Sequence, residues 1–165
     1  MRIKGVDTDR ARGIRRAYTL IFLLMMELVE ELGSNRALEM LRKAVERQAG
    51  LFEEELRREA TPSMNPIEMG FKAYRAFMED LGAEVEIHKR GEASITLRVE
   101  RCPLYEAMID AGVECGDLQG GLCTNLILPA IQGILKRLDP GLKLRATLTR
   151  RSLNEFCLEE IYLKS

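Results

Sequence analysis

The stretch GAEVEIHKRGEASITLRVERCP, Gly82 to Pro103, decides the fold: apolar residues recur every third or fourth position before it and every second position within it. Val85 and Ile87 alternate with Glu84, Glu86 and His88. After Gly91, Ile95, Leu97 and Val99 alternate with charged or polar neighbours, which predicts two strands joined by a turn at Arg90-Gly91. The stretch closes on Cys102-Pro103. Proline brings a helical φ and no N–H, so it opens a short helix, which runs to Ala111 and is ended by Gly112.

Upstream the spacing is helical. Ala11, Ile14, Tyr18, Ile21, Phe22, Met25, Val29 and Leu32 mark one face of a first helix that Gly33 ends. Leu20, Leu23, Leu24 and Met26 make its middle apolar on the other faces too, so it needs cover on more than one side. In a small protein a second subunit is the simplest cover. A second helix is expected from about Asn35 to Glu59 on the stripe Leu38, Leu41, Val45, Phe52 and Leu56, with Thr61-Pro62-Ser63 breaking it. Asn65-Pro66-Ile67-Glu68 has the form of an N-cap, a proline at the first helical position and a glutamate able to close a capping box. The third helix that starts there buries Ile67, Phe71, Tyr74, Met78 and Leu81 and stops at Gly82.

Downstream, Leu122 to Leu138 reads as a helix that Pro129 kinks or divides, and Asp139-Pro140-Gly141 as a turn. Leu142, Leu144, Ala146 and Leu148 alternate as a third strand, and Phe156 to Leu163 forms a fourth after the polar turn Arg150 to Asn154. Two strand pairs flanking a helical insert predict an α+β fold, with N-terminal helices packed on a four-stranded antiparallel sheet. A length of 165 residues suits one domain: a helical half, 1–82, and a half, 83–165, holding the sheet and the cysteine-bearing helices.

With 25 basic against 26 acidic residues the net charge is −1, so no global field draws the protein to nucleic acid or to an anionic membrane. The basic start, Arg10 to Arg16, reads as a solvated helix face, since no aromatic platform accompanies it. The apolar run Leu20 to Met26 is far shorter than the roughly 20 residues a membrane span needs. No small-residue cleavage site follows it, and the expected location is the cytoplasm. Charged residues make up 31% of the chain and tryptophan is absent, a balance common in proteins from hot environments, where intracellular disulfides also occur.

The cysteines, Cys102, Cys115, Cys123 and Cys157, are spaced too irregularly for a knuckle, a ribbon or a redox dithiol. Three of them stand where an element begins: Cys102 before Pro103, Cys123 after Gly120-Gly121 and Cys157 at the last apolar segment. If strands two and four are neighbours, these three thiols converge. Helix N-termini favour thiolate at Cys102 and Cys123, and zinc held by three or four sulfurs is one outcome, with Cys115 as the natural fourth ligand. A disulfide, a nucleophile and inert gap-filling thiols are the others. A nucleophile, for which Cys123 is the candidate, lacks a base: the single histidine, His88, sits on a strand face with Glu84 and Glu86. Catalysis would then fall to metal-bound water or to Glu106, Glu114 or Asp117.

Phe71, Tyr74, Phe77 and Met78 are richer in shape and softness than an aliphatic stripe, and a pocket between their helix and the sheet would hold a small apolar or aromatic ligand; core packing is the plainer reading. No phosphate-binding glycine loop followed by Lys-Ser or Lys-Thr and no H-E-x-x-H is present, so nucleotide chemistry has no support.

Cys102-Pro103-Leu104-Tyr105, the helix ending in Ala111-Gly112, Cys123 after a loop, Thr147-Leu148-Thr149 and Cys157 together resemble the L-2-amino-thiazoline-4-carboxylic acid hydrolase-like family and, more distantly, the 4-vinyl reductase small-molecule-binding domains. The resemblance implies the fold of TRAPP-complex subunits and haem-based nitric-oxide sensors, usually paired through the N-terminal helices. It also implies zinc on C-terminal cysteines beside a pocket for small aromatic or hydrocarbon ligands, with Cys102, Cys123 and Cys157 as the matching positions. The sequence departs from the pattern in having no glycine between Leu148 and Cys157 and no second C-terminal cysteine. The leading expectation is thus a homodimeric ligand-binding protein with a mainly structural zinc site. A hydrolase of a thiazoline-like ring and a metal-free assembly subunit are the alternatives.

Overall fold

The computed structural model describes residues 4–59, 64–112 and 123–164, with side chains throughout except at 4–10 and 56–59. The elements run α1 (Lys4–Leu32), α2 (Ser34–Glu59), α3 (Pro66–Asp80), β1 (Glu84–Arg90), β2 (Ser94–Arg101) and α4 (Pro103–Asp110). A π-helical turn (Cys123–Ile127), α5 (Leu128–Leu138), β3 (Leu142–Leu148) and β4 (Cys157–Leu163) follow. Gly33, Gly82 and Gly112, the three helix-ending glycines, take φ of 78°, 76° and 70°, the left-handed conformation in which a helix terminates without a Cβ clash.

The four strands form one antiparallel sheet in the order β1-β2-β4-β3, with the helices packed on it: the α+β architecture read from the sequence. The last strand is inserted beside β2, pairing Val99 with Cys157, Leu97 with Glu159 and Ile95 with Ile161. That register turns Ile95, Leu97, Val99, Cys157, Glu159 and Ile161 toward the helices, and all six are buried. α3 lies across all four strands. It sits close enough that a Cβ at Gly70 would stand 3.2 Å from Leu142 Cδ1 and 3.3 Å from Leu135 Cδ2.

Local chemistry explains the starts and stops. Asn65 Oδ1 accepts the Ile67 amide at 2.9 Å, and Pro66 supplies the first helical φ of α3. Glu68, expected to close a capping box, instead accepts from Arg90 Nη1 at 2.6 Å, tying α3 to β1. Pro129 divides the segment after Cys123: the widened π turn precedes it and the regular helix follows. Gln132 on α5 accepts the Leu144 amide at 2.9 Å and donates to the Leu142 carbonyl at 3.1 Å, pairing backbone groups of β3, an outer strand of the sheet.

Period-two alternation overstates burial at the sheet margins. Ile87 is 45% exposed and Leu148 46%, because β1 and β3 are the outer strands and the helical layer does not reach their outer ends. The β1 pairing also slips between Ile87 and Lys89, and His88 in that irregularity is exposed. Phe71, expected in the core, is half-buried, with the Arg90 guanidinium 5.4 Å from its ring centroid. Thr61-Pro62-Ser63 lies outside the described residues. Among the described residues no helix is long and apolar enough to cross a membrane.

Candidate functional site

Insertion of β4 beside β2 brings chemistry together. Cys102 leaves β2 as the N-cap of α4, Cys123 opens the π turn, and Cys157 opens β4 opposite Val99. All three line one cavity of about 20 Å³, closed by Met78, Leu81, Val99, Leu104, Ile127 and Glu159 among others. The space matches one water molecule or ion. All three thiols are free.

Two charged residues are drawn into this apolar setting. Glu159 is 3% exposed, and its Oε2 accepts a 2.8 Å hydrogen bond from the hydroxyl of Tyr74, itself fully buried. Burial pushes the Glu159 carboxyl up from its ordinary value, with the Tyr74 hydrogen bond and the Arg150 charge acting against it. The Tyr74 hydroxyl lies well above its ordinary range, through burial and then the Glu159 charge. Arg150, 5% exposed, donates through Nη2 to the carbonyls of Val99 (2.5 Å) and Glu100 (3.0 Å), and its Nε lies 3.4 Å from Cys157 Sγ. Its guanidinium also stands 5.6 Å from the Tyr105 ring centroid. One side chain therefore ties the segment after β3 to the end of β2 and the start of β4.

Burial favours the neutral form of Cys102 and Cys123. Burial raises Cys102, opposed by the Tyr105 backbone amide and by Arg150. Cys123 is held well above the ordinary thiol value by burial, and next by Glu159, Cys102 and Cys157. Tyr18 on α1 is pushed up to about 12 by burial and next by the Cys102 charge. In this state Cys123 is a poor nucleophile, since the thiolate is the reactive form.

Residues 13–157 match the family described as L-2-amino-thiazoline-4-carboxylic acid hydrolase. The chain belongs to this family. The span matched to the L-2-amino-thiazoline-4-carboxylic acid hydrolase family includes all three cavity cysteines and ends at Cys157, two residues before Glu159. No curated protein matches the sequence. Among solved structures, the fold is similar to that of a trafficking protein particle complex subunit 3 from Naegleria fowleri, covalently bound to palmitic acid. The TM-score is 0.56 at 11% identity, covering 93% of this chain and 96% of that one. The similarity shows that the α+β fold is of the TRAPP-subunit kind.

The expected ligand-binding residues of this family member divide. Met78 lines the cavity; Tyr74 stands behind it, joined through Glu159. Phe77 packs edge-on against Phe52, centroids 5.4 Å apart at 88°, and Phe71 lies under Arg90. Glu106 accepts from Arg101 at 2.7 and 3.2 Å and is not among the residues that line the cavity. Cys115, the expected fourth metal ligand, lies outside the described residues, as do Glu114 and Asp117. Three thiols and a carboxyl have the chemistry of a zinc donor set. Among the described residues, however, no three His, Cys, Asp or Glu side chains are gathered closely enough to hold a metal ion.

Glu159 and Arg150 were not singled out in the sequence. The signal for Glu159 was present: Cys157, Glu159 and Ile161 share one side of a strand by period two, which places a carboxyl on a buried face. Arg150 carried no such signal, because it lies in a polar turn beside Arg151 and only the three-dimensional path buries it.

Proposed function

We propose that the protein binds a small, largely apolar molecule at the cavity where Cys102, Cys123 and Cys157 meet. One observation carries the reading: separate elements deliver three thiols and the buried carboxyl of Glu159 to a single enclosed space, although burying that carboxyl costs free energy that packing alone does not require. The similar trafficking subunit carries palmitic acid, an apolar ligand, which favours the reading. A ligand larger than one water displaces side chains, and Met78 is the flexible wall able to yield. Zinc on Cys102, Cys115, Cys123 and Cys157 is the structural part of the proposal, and it needs the described thiols to draw closer than they stand. Two copies pair through their N-terminal helices, which covers the exposed leucines of α1.

Native mass spectrometry with elemental analysis of gently purified protein tests this. A co-purified small molecule and one zinc per chain support it. A bare chain that neither retains nor takes up either one removes it.

Hydrolysis of a thiazoline-like ring is the second reading, favoured by the family to which the chain belongs. The cavity has room for one water, and Glu159, a carboxyl raised by burial, is suited to take and return its proton. Turnover of 2-amino-thiazoline-4-carboxylate that is lost in Glu159→Gln with the fold intact supports it. Turnover unchanged in that variant counts against it.

A further inference from the structure

Resting on the pairing of two copies, we infer its geometry: α1 helices dock antiparallel about a two-fold axis, with Leu20 of each copy against Leu23 of the other and Arg16 against Glu27. α1 turns Phe22 and Met25 inward and half-buries Tyr18 and Val29, yet Leu20 is 68% exposed, Leu24 57% and Leu23 45%. Contiguous leucines left in water at the middle of a long helix mark a face that is covered in the working assembly.

The sequence of that face specifies what covers it. Arg16, Leu20, Leu23 and Glu27 follow one another in steps of four, three and four, the spacing of a two-helix seam. Arg16 and Glu27 are both exposed. The midpoint between Leu20 and Leu23 is equally far along the axis from Arg16 and from Glu27, about 8 Å at the rise of an α-helix. A two-fold axis through that midpoint sets leucine on leucine and, twice, arginine on glutamate. A parallel pairing in register sets Arg16 on Arg16 and Glu27 on Glu27, a repulsive arrangement. An anionic lipid surface is a poor cover, because Glu27, Glu30 and Glu31 occupy the C-terminal part of the helix.

A charge-exchange series on the full chain, read by sedimentation equilibrium with circular dichroism as the check on folding, tests the register. Wild type is a dimer and Leu20→Glu a folded monomer. Arg16→Glu and Glu27→Arg each weaken association about tenfold or more, and the double variant R16E/E27R recovers to within about threefold of wild type. A monomeric wild type overturns the pairing and the register together while leaving the cavity proposal intact. A dimer that survives Leu20→Glu, or a double variant no tighter than the singles, overturns the antiparallel register alone.

Discussion

The Tyr74 hydroxyl donates a 2.8 Å hydrogen bond to Glu159 Oε2, joining α3 to β4 through a phenol and a carboxyl that are both buried. Removing the donor leaves the carboxyl without that partner in an apolar setting. Tyr74→Phe is expected to destabilise the protein by about 1–3 kcal/mol in urea denaturation, and pairing it with Glu159→Leu to recover part of that loss. A fully additive double variant would show that the two groups are not coupled.

Arg150 depends on the planar fork of its guanidinium. Nη2 serves the Val99 and Glu100 carbonyls while Nε points at Cys157 Sγ, an arrangement that the point charge of lysine does not reproduce. Arg150→Lys is expected to lower stability by about 1–3 kcal/mol for each carbonyl left unpartnered. Hydrogen exchange in that variant should rise first at the β2–β4 junction, around Val99 and Cys157, rather than at the outer strand β1.

The pH dependence follows from α1 and α4. Arg15 pairs with Asp110, and the hydrogen bond and charge of Arg15 hold the Asp110 carboxyl below its usual range. A depressed folded-state value means that the contact's contribution is present above the unfolded-state carboxyl pKa and is lost as pH falls through the folded-state value. Asp110→Asn should therefore match wild type at the lowest pH and fall behind it as pH rises. Denaturation midpoints measured across the acid range check the direction, and an unchanged difference at every pH would contradict it.

Much of this fold is legible in the sequence because its periods are clean. The switch at Gly82, the three helix-ending glycines and the Asn65-Pro66 start each rest on local chemistry, and the structure reproduces them. The convergence of Cys102, Cys123 and Cys157 needs one long-range fact, that β4 lies beside β2, which periodicity leaves open. Ile87 and Leu148 look like core residues in sequence because alternation says which side a residue faces and not whether anything covers that side. Glu159 was readable by the same alternation, once a carboxyl is allowed on an inward face. Arg150 was not, since its burial comes from the chain's return path to Val99.

Thiol accessibility separates a binding cavity from a reactive centre. Burial holds Cys102 up and Cys123 well up from the ordinary thiol value, so both should react far more slowly with a charged alkylating reagent than a free thiol at neutral pH. Peptide mapping after timed alkylation reads this directly. Rapid, selective labelling of Cys123 would restore the nucleophile reading.

Methyl NMR of the methionines during titration with a small apolar aromatic probe, toluene, tests the central claim most directly, because Met78 lines the cavity while Met40 is exposed on α2. A ligand seated among Cys102, Cys123 and Cys157 is expected to shift the Met78 methyl saturably at one equivalent and to leave Met40 in place. A Met78 methyl that stays still, or methionines that all drift together without saturation, would contradict it.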